Sequence, residues 1–131
     1  MPQVRRGFTL IELLIVVVII GILASIAIPK FSAVREKSYI AVVTSDLKTL
    51  ASQMEIYQAE NLTYPANIGL LTEFTMSDGI NIVINEATAG TGWAATGVHV
   101  GLPGRQCGVF YGNGSASNAV PATTAGMVTC N

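Results

Sequence analysis

The chain has 131 residues, with seven Lys and Arg against eight Asp and Glu, for a formal net charge of -1. That length holds one modest domain with an appendage and excludes a two-domain enzyme, while the near-neutral charge removes the long-range attraction that draws a whole chain to nucleic acid, a partner that nothing here indicates. The mean hydropathy of +0.52 is high for a water-soluble domain, and nearly all of the excess lies between Phe8 and Ile28, as in a single membrane segment attached to an ordinary soluble head.

Residues 8–28 form an apolar run that, as a helix, spans roughly 32 Å and can cross a bilayer. Arg5 and Arg6 precede it, and positive charge holds that end in the cytoplasm, so the rest of the chain faces outward. Ser25-Ile26-Ala27 is a small-x-small site, and cleavage after Ala27 would release a secreted soluble protein. Against plain secretion, the run is longer than a usual signal core and contains Glu12. A carboxylate at mid-bilayer costs about 2.5 to 3.5 kcal/mol, less near the interface, so Glu12 needs a reason to be there.

The stretch Arg6-Gly7-Phe8-Thr9-Leu10-Ile11-Glu12, followed by the apolar run and Pro29, closely resembles the class III signal of type IV pilins and the related pseudopilins. The likeness covers about residues 1–40. It implies a leader, residues 1–7, that prepilin peptidase removes between Gly7 and Phe8, followed by N-methylation of the new Phe8 amine. It further implies a transmembrane and filament-core helix over 8–29 and a globular head over 30–131. The subunit would cross the inner membrane once before assembly and then pass, through the pilus assembly machinery, into an extracellular homopolymer.

The resemblance gives Glu12 a role that physics makes intelligible. Each processed subunit carries a cation at Phe8 and an anion at Glu12, and both are penalised if buried alone in a filament. Pairing Glu12 with the Phe8 amine of a neighbour satisfies both and fixes axial register; a pair within one chain, across one helical turn, satisfies them without setting register. Gly21 lowers helix propensity by roughly 1 kcal/mol relative to Ala, and Pro29 cannot donate to the carbonyl of Ser25. Membrane helices tolerate both as mild kinks; by the resemblance, they mark a helix break over residues 21–29 on packing into the filament.

After Pro29 the pattern turns amphipathic. Ile40, Val43, Leu47, Leu50, Met54 and Tyr57 recur every three or four residues and place one apolar stripe on a helix. A coiled coil uses the same spacing, but the strand-like region that follows makes a sheet the expected partner. Ile56 lies off the stripe. The helix, running from about residue 8 to about 60, ends before Pro65, which pushes its predecessor out of helical geometry.

Ile80, Ile82 and Ile84 alternate with Asn81, Val83 and Asn85 and predict a half-buried strand; residues 93–100 and 106–111 predict two more, joined by a turn at Leu102-Pro103-Gly104-Arg105. Residues 112–126, rich in Gly, Ser, Ala, Asn and Thr, read as a surface loop, and 127–130 as a short last strand. The expected fold is α+β, a long N-terminal helix on an antiparallel sheet of three or four strands, similar to the pilin fold. Cys107 and Cys130 are an even pair in an exported domain, so a disulfide is predicted rather than two thiols. In pilins such a bridge encloses a C-terminal loop.

Nothing gathers into a catalytic or metal motif. His99 reads as a surface or hydrogen-bonded strand histidine, and two aspartates with Glu86 as the sole acid beyond Gly79 are too few for a dedicated calcium site. No cofactor is expected, and the chain does not read as an enzyme. Lys30, Arg35 and Lys37 form a small cationic cluster, either a solvated helix face or a donor set for salt bridges between subunits. The leading function is a type IVa-like major pilin; a type II secretion major pseudopilin and the secreted protein are the alternatives. Pilus roles in adhesion, motility, DNA uptake or conduction are not distinguished by these residues.

Overall fold

The computed structural model describes Met1 and residues 7–131; Arg5 and Arg6, on which the expected orientation rests, lie outside the described residues. Two compact units are present, Met1–Arg35 and Glu36–Asn131. Helix α1 covers Leu10–Asn61 and contains Pro29. It runs through Gly21 and Pro29 without interruption, so the break expected there is not a property of this conformation. Pro29 removes one donor, but the neighbouring turns keep their own bonds, and Ser25 Oγ donates to the carbonyl of Ile22 at 2.7 Å.

In the first unit the apolar side chains of α1 face outward, with Leu10 88% and Leu14 58% exposed. In the second unit the same helix buries Val43, Leu47, Leu50 and Met54, with Ile40 and Tyr57 packed at the margin. This is the stripe read from the sequence, and a sheet covers it as expected.

That sheet has four antiparallel strands in sequence order: β1 (Ile80–Thr88), β2 (Gly92–His99), β3 (Cys107–Gly112) and β4 (Thr129–Cys130). Ile80, Ile82, Trp93, Ala95, Cys107 and Val109 face the helix and complete the core. Gly97 lies between helix and sheet: a Cβ there would meet Val43 Cγ1 at 3.1 Å and Ile82 Cγ1 at 3.2 Å. Trp93 is fully buried and stacks on Tyr111, ring centroids 5.1 Å apart, although its Nε1 has no partner. Burying an aromatic face of about 200 Å² is worth about 5 kcal/mol, which outweighs the ~1–3 kcal/mol cost of one unpaired donor.

Cys107 and Cys130 form the predicted disulfide, across paired positions of β3 and β4. The segment between β3 and β4 departs from the simple surface loop that its composition suggested. It contains a short 3-10 turn, Ala116–Asn118, and it lies against the outer face of the sheet, where Ala119 and Ala122 are buried with Ala94 beside Phe110. Small residues allow the close approach: a Cβ on Gly108 would run into the carbonyl of Ala119. The loop is thus a third layer over a sheet whose other face holds the helix.

Candidate functional site

The N-terminal segment is organised by a feature that the sequence reading passed over. Thr9 precedes the first turn of α1 and Glu12 sits three residues on. The Thr9 amide donates to Glu12 Oε2 at 2.8 Å, the Thr9 hydroxyl donates to the same oxygen at 2.7 Å, and the Glu12 amide donates back to Thr9 Oγ1 at 3.3 Å. This is a capping box, in which two side chains reciprocally satisfy donors left over at a helix start. The helix therefore begins at Leu10 rather than at Phe8. Thr-x-x-Glu before an apolar run is the signal that would have found it.

Two consequences follow for the predicted site residues. Gly7 and Phe8 lie outside the helix, both exposed, with open space around Gly7. Their peptide bond stands clear of secondary structure, where an enzyme can reach it without unwinding a turn. Glu12 meanwhile commits one carboxylate oxygen to its own chain, while Oε1 carries no hydrogen bond among the described residues. Gly21 and Pro29 are separate from this cluster, farther along the same helix.

Downstream, an 18-residue window of α1 has a mean hydropathy of 3.0 and no buried residue within its own unit, long and apolar enough to cross a membrane. At the end of the first unit the Arg35 guanidinium lies over the Phe31 ring, 5.1 Å from its centroid.

In the head the polar side chains fasten loops. Asp46, buried on α1, accepts from the amide of Ser77 at 2.7 Å and from its hydroxyl at 2.8 Å, tying the segment before β1 to the helix. A bulge between Ile84 and Glu86 shifts the register so that Glu86 pairs with Ala94, on the outer face of the sheet, instead of continuing the inward alternation. From there Glu86 Oε2 accepts from the Ser115 amide at 2.8 Å and from Asn118 Nδ2 at 2.9 Å. Those bonds, the Asn118 amide first, hold its carboxyl below the ordinary range, and the Thr88 hydroxyl adds to the effect.

His99 ends β2, stacks on Tyr39 with ring centroids 3.9 Å apart, and accepts from the Gly101 amide at Nδ1. It is a hydrogen-bonded strand histidine. Arg105 pairs with Glu36. Burial, and then the neighbouring Glu55 carboxylate to which it donates, raises the Tyr64 phenol above its ordinary value. Among the described residues no three His, Cys, Asp or Glu side chains converge as metal ligands would.

Comparison with known proteins bears on the same N-terminal segment. Residues 3–28 match the family described as the prokaryotic N-terminal methylation motif. The chain is 40% identical over 65 residues to the type II secretion system core protein G of Dickeya chrysanthemi, an alignment that covers 50% of this chain and 42% of that protein. It is 35% identical over 89 residues to the protein of the same name from Aeromonas hydrophila, 66% of this chain and 56% of that one. Over 62 residues it is 47% identical to the type IV wide pilus major component PilA4 of Thermus thermophilus, covering 47% of each. The chain thus spans about half the length of the curated relatives it matches.

Proposed function

We propose that this chain, a type IV pilin-like prepilin, is the structural subunit of an extracellular filament, anchored in the inner membrane by residues 8–29 until it polymerises through that helix. The observation that carries this reading is an exposed apolar helix half with one carboxylate near its start. Lipid covers the apolar surface before assembly, and the same surface of other copies covers it afterwards, since either environment removes it from water.

Prepilin peptidase cuts the exposed Gly7–Phe8 bond, and the Phe8 amine is then methylated and remains a cation. The capping box keeps Glu12 satisfied at the membrane surface. On assembly the open Oε1 takes the Phe8 amine of a neighbouring subunit, so that neither charge is buried alone. A pair with its own Phe8 amine would add nothing to a helix start that Thr9 already completes. Packing then favours loss of helix between Gly21 and Pro29, where propensity is lowest.

A second filament fits the relatives equally well. Proteins named for the type II secretion system resemble this chain as one named for a wide pilus does, so a major pseudopilin is the alternative. The Cys107–Cys130 bridge in place of a carboxylate-rich head favours the pilus.

One experiment tests the reading. Mass spectrometry of the mature protein from a sheared surface fraction, with electron microscopy of the same fraction, should find N-methylated Phe8 at the amino terminus of a fibre subunit. Mature protein beginning at Ile28 would overturn the filament; methylated Phe8 confined to the envelope, with no surface fibre, would select the secretion alternative.

A further inference from the structure

Charge in this chain is sorted by position. Between residues 49 and 104 there are five acids, Glu55, Glu60, Glu73, Asp78 and Glu86, and neither Lys nor Arg. Between residues 30 and 48 lie Lys30, Arg35, Lys37 and Lys48, against Glu36 and Asp46. Both of those acids are already engaged, Glu36 by Arg105 and Asp46 by Ser77. The cationic stretch is thus left without an anion among the described residues, and the acidic stretch without a cation.

The acidic stretch also has a shape. Between α1 residues 53–61 and the segment Leu70–Glu73 is a groove of about 180 Å³, floored by Ile56, Tyr57, Leu70 and Leu71. Ile56 is 49% and Leu70 47% exposed. Glu60 and Glu73 stand at this groove and make no ion pair among the described residues. An apolar floor with anions beside it calls for an occupant that is apolar in the middle and cationic at its ends.

The stretch at residues 30–37 has that pattern. Lys30, Val34 and Lys37 recur in the sequence at spacings of four and three, the periodicity of one helix face. Phe31 and Val34 are each 65% exposed. We infer that, in the filament, the groove at Glu60 and Glu73 of one subunit receives the Lys30–Lys37 collar of a second copy. This rests on the filament reading above. A second copy is the occupant because every copy supplies both halves of the match, a cationic stretch and an acidic groove of opposite sign. The contact adds charge complementarity, and hence orientation, to an apolar helix packing that specifies neither by itself.

The test uses native filaments. A water-soluble carbodiimide joins a carboxylate to an amine only where the two touch. Treated filaments, denatured and reduced, should give a ladder of covalent dimers and higher species, and peptide mapping should find Glu60 or Glu73 joined to Lys30 or Lys37. The double variant Glu60→Gln, Glu73→Gln, with surface changes that leave the core intact, should lose those links entirely. High salt during the reaction should diminish them in the native filament, because exposed ion pairs are screened. Filaments without these links would overturn the docking and leave the filament reading standing, as would linkage of the groove peptide to a different protein. Failure of the native chain to form filaments would overturn both.

Discussion

Leu14 and Leu47 belong to one helix and differ in almost everything else. Leu14 is 58% exposed and Leu47 is fully buried. The side chain, the backbone geometry and the intrinsic propensity are the same, so the difference lies in what covers them. Leu47 meets a sheet supplied by its own chain, whereas the cover for Leu14 has to come from elsewhere. Burying one Leu, Ile or Val side chain contributes about 1.5 to 3 kcal/mol, so the first half of α1 holds a large unspent driving force, and the second half has used its share to fold the head.

The comparison is broken most directly by the same truncation in both halves. Leu47→Ala should destabilise the head by about 2 to 5 kcal/mol, through lost burial and the cavity left behind. Leu14→Ala should leave head stability within about 0.5 kcal/mol of the parent. Trp93, the single tryptophan and fully buried, reports the transition by fluorescence in detergent-solubilised protein titrated with denaturant. Equal losses from the two variants would mean that the halves share one core.

A smaller effect, confined to the head, is expected from the disulfide. Cys107 and Cys130 are 23 residues apart, and closing a loop of that size stabilises by about 3 kcal/mol in the chain-entropy picture. Cys107→Ser with Cys130→Ser should lower the denaturant midpoint read by Trp93 and leave the helicity of the apolar half unchanged by circular dichroism. Two free thiols in denatured, unreduced native protein would contradict the bridge itself.

The parts of this architecture that repeat were legible in the sequence, and the parts made by one residue were not. The stripe from Ile40 to Tyr57 and the alternation from Ile80 to Ile84 announce helix and sheet because many residues vote on the same period. The bulge that turns Glu86 to the outer face leaves no such signature, since one extra residue shifts every later position and a strand with Asn85 and Glu86 looks polar in either register. Residues 112–126 read as exposed because small polar residues usually are; their packing depends on the Gly108 and Ala119 contact, which no local pattern encodes. Asp46 takes its partner, Ser77, from 31 residues away, where no local pattern shows it. In the N-terminal segment, Gly7, Phe8 and Glu12 stand in a motif, whereas the cap that Thr9 makes is spelled only by its spacing from Glu12.

The outer layer offers the finest test of how the head differs from the apolar half, because a half-buried carboxylate, Glu86, helps to anchor it. In the folded chain Glu86 is held below its ordinary value of 4.5, chiefly by the Asn118 amide and then by the Ser115 amide. The folded value is the lower one, so this contribution is fully present above the unfolded value and is lost as pH falls through the folded value. Acidification should therefore loosen residues 113–118 before it reaches the core at Leu47 or Trp93. Amide resonances of Ser115 and the Asn118 side chain, followed from about pH 6 to about pH 3 in detergent micelles, should shift together with a midpoint below that of an ordinary glutamate. Glu86→Gln keeps an acceptor of the same shape but removes the charge, so the two resonances should stop responding while Trp93 fluorescence stays put. Identical titrations in parent and variant would assign the loop's anchoring to Asn85, which donates to both Thr96 and the Asn118 carbonyl, and would leave Glu86 an incidental neighbour.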